Sequence, residues 1–139
     1  MNQTHALIAC LVLLAPFVAA ETLQQTTRSW DGGDLAYPEG DVEITAVRLT
    51  LSDGEWLPFH CHPVPTLGYI LSGSVRVQTR SGQEAVFSAG DSVVEVMRTI
   101  HRGQGFGGGA EIVVFYAGAR GLPVTIVEGA EGFDRHCKE

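Results

Sequence analysis

Along residues 42–51, VEITAVRLTL, apolar and polar side chains alternate in part, the two-residue period of a strand with one face turned inward. Further short runs rich in β-branched or aromatic residues follow: GYILSGSVRVQT (68–79, around a small-residue turn), EAVF (84–87), SVVEVM (92–97), EIVVFY (111–116) and VTIV (124–127). Turn chemistry separates them at Asp53-Gly54, Ser72-Gly73, Ser81-Gly82 and Ala89-Gly90-Asp91, a spacing typical of an antiparallel sandwich or barrel. Beyond residue 20 no segment keeps a helical period over ten residues. The pattern predicts an all-β domain. The glycine-rich GQGFGGG (103–109) runs directly into EIVVFY instead of opening a helix, so it reads as a mobile connection between strands and not as a phosphate-cradling loop.

The two ends of the chain break this pattern. Residues 1–20, MNQTHALIACLVLLAPFVAA, carry no charged side chain, run apolar from Ala6 to Ala20 and close on small residues. That is the pattern of a secretory signal cut after Ala20. It predicts a periplasmic or secreted protein with no membrane span in the mature chain. Residues 21–37 are polar and read as an N-terminal arm, 38–130 as the β-barrel domain, and 131–139 as a charged C-terminal tail that is expected to fray. Removal of Cys10 with the signal leaves Cys61 and Cys137. An oxidising compartment permits a bridge between them. The expected state is nevertheless a buried free thiol for Cys61 and a tail thiol for Cys137.

Composition narrows the function classes. A chain of 139 residues supports one domain with one core, and 45% apolar against 18% charged residues is a folding composition. The formal charge is −7, with no basic cluster, which excludes nucleic acid as a natural partner.

The chemistry concentrates in GEWLPFHCHP, residues 54–63. On extended chain His60 and His62 point to the same side while Cys61 turns away, so the two imidazoles can share one ion. A third donor must come from elsewhere; of His101 and His136, His101 is the better candidate because it follows a strand and its turn. Three nitrogens suit iron, manganese, nickel, copper or zinc and not calcium or magnesium. Glu95 interrupts the apolar VVEVM, where a charge is expensive unless it is paired or faces solvent. It is the candidate catalytic residue, able to approach the ion, orient a ligand histidine or act as a general base; the plain alternative is an outward position or a pair with Arg98 or Arg102.

These residues resemble the cupin superfamily. Its first motif is Gly, five residues, His-x-His, three or four residues, Glu, six residues and Gly; this chain has Gly54, EWLPF, His60-Cys61-His62, PVP, Thr66, LGYILS and Gly73. Its second motif is Gly, five residues, Pro-x-Gly, two residues, His, three residues and Asn; here Gly90 and His101 match, while Val96, Arg98 and Gly105 depart. Gly90-Asp91 followed by Glu95, and the run to Gly121-Leu122-Pro123, are similar to small secreted cupins of the quercetin-dioxygenase-like group.

The resemblance implies a single-domain conical β-barrel (double-stranded β-helix, or jelly roll), a divalent metal inside it (iron, manganese, nickel or zinc), and commonly a homodimer. A dioxygenase-type oxidoreductase on a small oxygenated substrate follows as the expected activity, and a non-catalytic small-molecule-binding module as its alternative. Thr66 in the glutamate place is a poor ligand, so three neutral imidazoles would leave a divalent ion its full charge and draw anionic or chelating oxygen ligands to it. Trp56, Phe59, Tyr69 and Phe106 are aromatic candidates for the pocket wall, with the packed core or a dimer interface as the plain alternative.

Overall fold

The computed structural model describes residues 19–139; residues 1–18, most of the expected signal segment and Cys10, lie outside the described residues. Among the described residues seven strands follow one another: β1 (Val42–Leu51), β2 (His60–Cys61), β3 (Thr66–Thr79), β4 (Glu84–Ser88), β5 (Ser92–Val94), β6 (His101–Ala119) and β7 (Ile126–Val127), with one short helix, α1 (Phe133–His136). The expected all-β architecture is what forms. Among the described residues no helix is long and apolar enough to cross a membrane.

The long strands β3 and β6 pair antiparallel from Thr66↔Tyr116 to Thr79↔His101, and each serves two layers. In one layer β1 lies along the second half of β6 and β5 along the first half of β3. In the other, β4 lies along the second half of β3, while β2 joins the start of β6 and carries β7 at its far edge. Leu51, Ile70, Ile112 and Val114 from the first layer pack with Val75 and Phe87 from the second. The barrel core lies between the layers.

Both long strands change parity where they pass from one layer to the other. In β3 the buried positions are Thr66, Gly68 and Ile70, then Val75, Val77 and Thr79; in β6 they are His101, Gly103 and Gly105, then Ile112, Val114 and Tyr116. Register shifts between Ile70 and Ser72, between Gly73 and Ser74, and opposite Phe106–Ala110 make the change. Extra residues on a strand flip its faces, so these bulges keep apolar side chains inward on both halves. A Cβ on Gly73, at φ 73°, would lie 1.9 Å from the Gly109 carbonyl oxygen, so only glycine fits there.

Three expectations are corrected. GQGFGGG is not a connection between strands: it is part of β6, and only Gly107, Gly108 and Gly109 leave the ladder, all at positive φ. Ser72-Gly73 is a bulge within β3 and not a turn between two strands. The tail does not fray, because Phe133 buries against Cys61, Ile100 and Ile126, and Lys138 bonds to the main chain at Arg98 and Ile100.

Cys61 and Cys137, expected as free thiols, form a disulfide that joins residues 76 apart, with Cα atoms 5.6 Å apart. The helical turn of α1 brings Cys137 behind β2, a proximity created by the tertiary fold. Arg98, in the glycine place of the second motif, adopts φ 64°, a left-handed conformation that costs a non-glycine residue roughly 1 kcal/mol. Main-chain bonds hold it on both sides, Arg98 N–H donating to His62 O and Lys138 N–H donating to Arg98 O.

Candidate metal centre

The strand pairing assembles the three histidines. His60 on β2 faces His101 on β6 as its register partner, and His62 follows one alternation later, in a parallel bridge with Met97. Each ring donates its Nδ1–H to a main-chain carbonyl: His60 to Pro58 O at 2.8 Å, His101 to Thr99 O at 2.8 Å and His62 to Val124 O at 3.0 Å. A carbonyl can only accept, so the proton sits on Nδ1 and the lone pair on Nε2. That places all three lone pairs on the other edge of the ring, the arrangement that orients metal-bound imidazoles.

Ring centroids lie 4.4 Å apart for His60 and His101 and 5.0 Å for each pair involving His62. One donor atom from each ring falls within 4.8 Å of the others, and all three residues are buried. His136, on α1, stands outside this cluster. The set fits a divalent transition-metal ion, because neutral nitrogen donors with fixed tautomers meet in a small triangle.

Burial lowers the pKa of all three. His60 falls to about 4, through burial first and the neighbouring His101 second; burial again leads for His62, followed by His101 and His60; for His101 burial alone lowers it. The three imidazoles are therefore neutral at pH 7 without a metal. Between about pH 6.5 and 4 the unfolded chain binds a proton at residue 60 that the folded chain refuses, so stability falls as pH falls. Chelator-treated protein should lose up to about 3 kcal/mol from His60 alone across that window. Denaturant titrations at pH 7 and pH 4.5 measure it, and an unchanged midpoint would contradict it.

Glu95 reaches the same region from just beyond β5. Its Oε2 lies 3.8 Å from His101 Nε2 and accepts a bond from Trp30 Nε1–H at 3.3 Å. It forms no ion pair with Arg98 or Arg102; Arg102 instead donates to Gln78. Burial pushes its carboxyl pKa up, against the opposing pull of His60 and the Trp30 bond. Glu95 N–H donates to Thr66 O, so a carboxylate stands across the ladder from the motif position that lacks one. Thr66 turns its hydroxyl back to Val64 O at 3.0 Å.

Inside the barrel, a cavity of about 280 Å³ reaches the histidines, Glu95 and Thr66. Phe87 and Tyr116 are its aromatic lining residues. Of the four aromatic candidates, Trp56 and Phe59 instead lie under the Arg102 guanidinium, Phe106 lies under Arg76, and Tyr69 lines a groove against the N-terminal arm.

Sequence reasoning missed the carbonyls of Pro58, Thr99 and Val124, as well as Trp30, Thr125 and Tyr116. Pro58 and Thr99 each stand two residues before a histidine, a local signal that was available. Trp30 lies 65 residues from Glu95 within a segment that has no period, and carried no such signal.

A two-layered antiparallel barrel with three converging imidazoles inside defines a small β-barrel protein with a metal-type site. The chain belongs to the cupin superfamily: the cupin domain model matches residues 47–115, which include all three histidines. No curated protein matches it. Among solved structures it is similar to the DMSP lyase DddQ from Ruegeria pomeroyi, at 21% identity and TM-score 0.52, covering 73% of this chain and 49% of that one. A cupin-like protein from Thermotoga maritima matches at 14% identity and TM-score 0.52 over 72% of this chain and 87% of that one. An oxalate oxidase matches at 21% identity and TM-score 0.51 over 61% and 46%. The chain thus spans about half the length of the lyase and oxidase chains, and these likenesses show the shared fold.

Proposed function

We propose that this chain is a periplasmic or secreted metal-dependent cupin of the dioxygenase type, acting on a small oxygenated substrate. In this reading His60, His62 and His101 hold an iron, manganese or nickel ion; zinc, which has no redox chemistry, suits only a binding role. One observation carries the proposal: three buried imidazoles, each tethered through Nδ1 to a carbonyl, converge in the wall of a cavity. The Cys61–Cys137 disulfide and the uncharged opening segment support an oxidising compartment.

A redox-active ion held there would supply Lewis acidity and electrons for dioxygen chemistry. The protein supplies position and proton handling. Glu95, held by the Trp30 indole beside His101, takes a proton from a substrate hydroxyl onto its carboxylate, and the apolar cavity wall limits competing water. Glu95→Gln should retain one ion per chain while turnover falls about a hundredfold. Iron-loaded protein tested for oxygen uptake with chelating diols and 2-hydroxy acids checks both points; unchanged turnover in the variant would remove Glu95 from the chemistry.

A non-catalytic binding module is the second reading, favoured by Thr66, whose hydroxyl is committed to Val64 O where the motif has a ligating carboxylate. Fully loaded protein that is thermally stabilised by a ligand, yet shows neither oxygen uptake nor product across the panel, would establish it.

A further inference from the structure

We infer that the guest of this cavity is a compact monoanion with one chelating oxygen head and a hydrocarbon body, and not a dicarboxylate or a polyol acid. The inference rests on the metal reading above and names its substrate class.

The wall is the first observation. Leu49, Leu51, Ile70, Val75, Val93 and Ile112 form much of it, drawn from four strands of both layers. Its polar side chains are the three histidines, Glu95, Thr66, Tyr116 and Thr125. Two of these are already engaged, Thr66 with Val64 O and Thr125 with His62 Nδ1 at 3.2 Å. A guest rich in hydroxyls would leave most of them without partners.

Charge is the second observation. Among the described residues no lysine or arginine lines the cavity. Arg76 and Arg102 flank the buried positions of β3 and β6 but turn outward, onto Phe106 and Trp56. Three neutral imidazoles leave a divalent ion free to take one carboxylate head directly. A second carboxylate, held away from the ion, would enter an apolar wall that offers it no cation and has the carboxyl of Glu95 as its acidic neighbour. Burying that charge without a compensating partner is costly.

Size and access agree. A cavity of about 150 Å³ holds benzene, so 280 Å³ takes a molecule of roughly ten non-hydrogen atoms. Pro58 and Val127 line the cavity and are exposed, marking a mouth that is itself apolar.

Calorimetry and the visible spectrum of the cobalt-loaded full chain test this with three probes that share one chelating head: glycolate, 2-hydroxyhexanoate and malate. All three contain a 2-hydroxycarboxylate; the second adds a butyl chain and the third a second carboxylate. 2-Hydroxyhexanoate should bind at least about tenfold more tightly than glycolate, up to roughly a hundredfold if the whole chain is buried. Malate should bind at least about tenfold more weakly than 2-hydroxyhexanoate. Each productive binder should shift the cobalt bands. If cobalt binds but malate or glycolate equals or exceeds 2-hydroxyhexanoate, or none of the three shifts the bands, the substrate class is wrong and the metal site stands. If cobalt is not taken up at about one ion per chain, both readings fall.

Discussion

Replacing His101 by alanine is expected to reduce bound metal from about one ion per chain to less than a tenth, with the barrel intact. Metal-binding free energies of roughly 10 to 16 kcal/mol are shared among three or four ligands, so losing one costs about 3 kcal/mol or more, a hundred- to thousandfold in affinity. His101 is the central test because it is 1% exposed, is the register partner of His60, and comes from a strand distant in sequence from the other two. The alanine also leaves Thr99 O without its donor, a loss of about 1 kcal/mol that circular dichroism and thermal unfolding would register separately. Elemental analysis of untagged protein gives the answer, and an undiminished metal content would end the three-imidazole reading.

The second large effect concerns the disulfide. Closing a loop between Cys61 and Cys137, 76 residues apart, restricts the unfolded chain enough to contribute about 4 kcal/mol. Cys137→Ala should therefore lower the melting temperature by roughly 15 °C. The loss should reach the metal centre as well, because Cys61 lies between His60 and His62 and the tail runs beside Arg98 and Ile100, just before His101. Metal affinity should fall about tenfold in the variant even under conditions where it remains folded. Oxidised wild-type protein with a reactive Cys61 thiol, or a variant with an unchanged melting temperature, would contradict this.

The strands were readable where side chains carry the pattern, even on β1, of whose ten residues only Leu51 is buried. VEITAVRLTL became β1 over the same ten residues, and His60 and His62 share a side because extended chain alternates. The parity changes were hidden, since a bulge built from glycines looks like a connection: it has no side chains to show which way the strand faces. SVVEVM extends three residues beyond the strand, because β5 ends at Val94 and Met97 joins His62 only through an isolated bridge.

The rest of the site depends on contacts between distant segments. Trp30 meeting Glu95, Val124 O receiving His62, and the tail closing on Cys61 are products of the packed barrel. His60 and His101 themselves were easier to anticipate, the first from strand alternation and the second from its place after a strand and its turn, although the carbonyl two residues before each, which holds its ring, was missed. The clearest departure from the family pattern, Thr66, was visible from spacing, but the carboxylate across the ladder from it became evident only in three dimensions.

The carbonyl tethers on the three histidines separate what seats the ion from what surrounds the guest. The seat is written in the main chain at Pro58, Thr99 and Val124, whereas the wall is written in side chains such as Leu49, Ile70 and Val75. Redecorating the wall need not unsettle the seat. A scaffold of this kind can be bred toward larger, smaller or more highly charged guests while its inorganic chemistry stays in place.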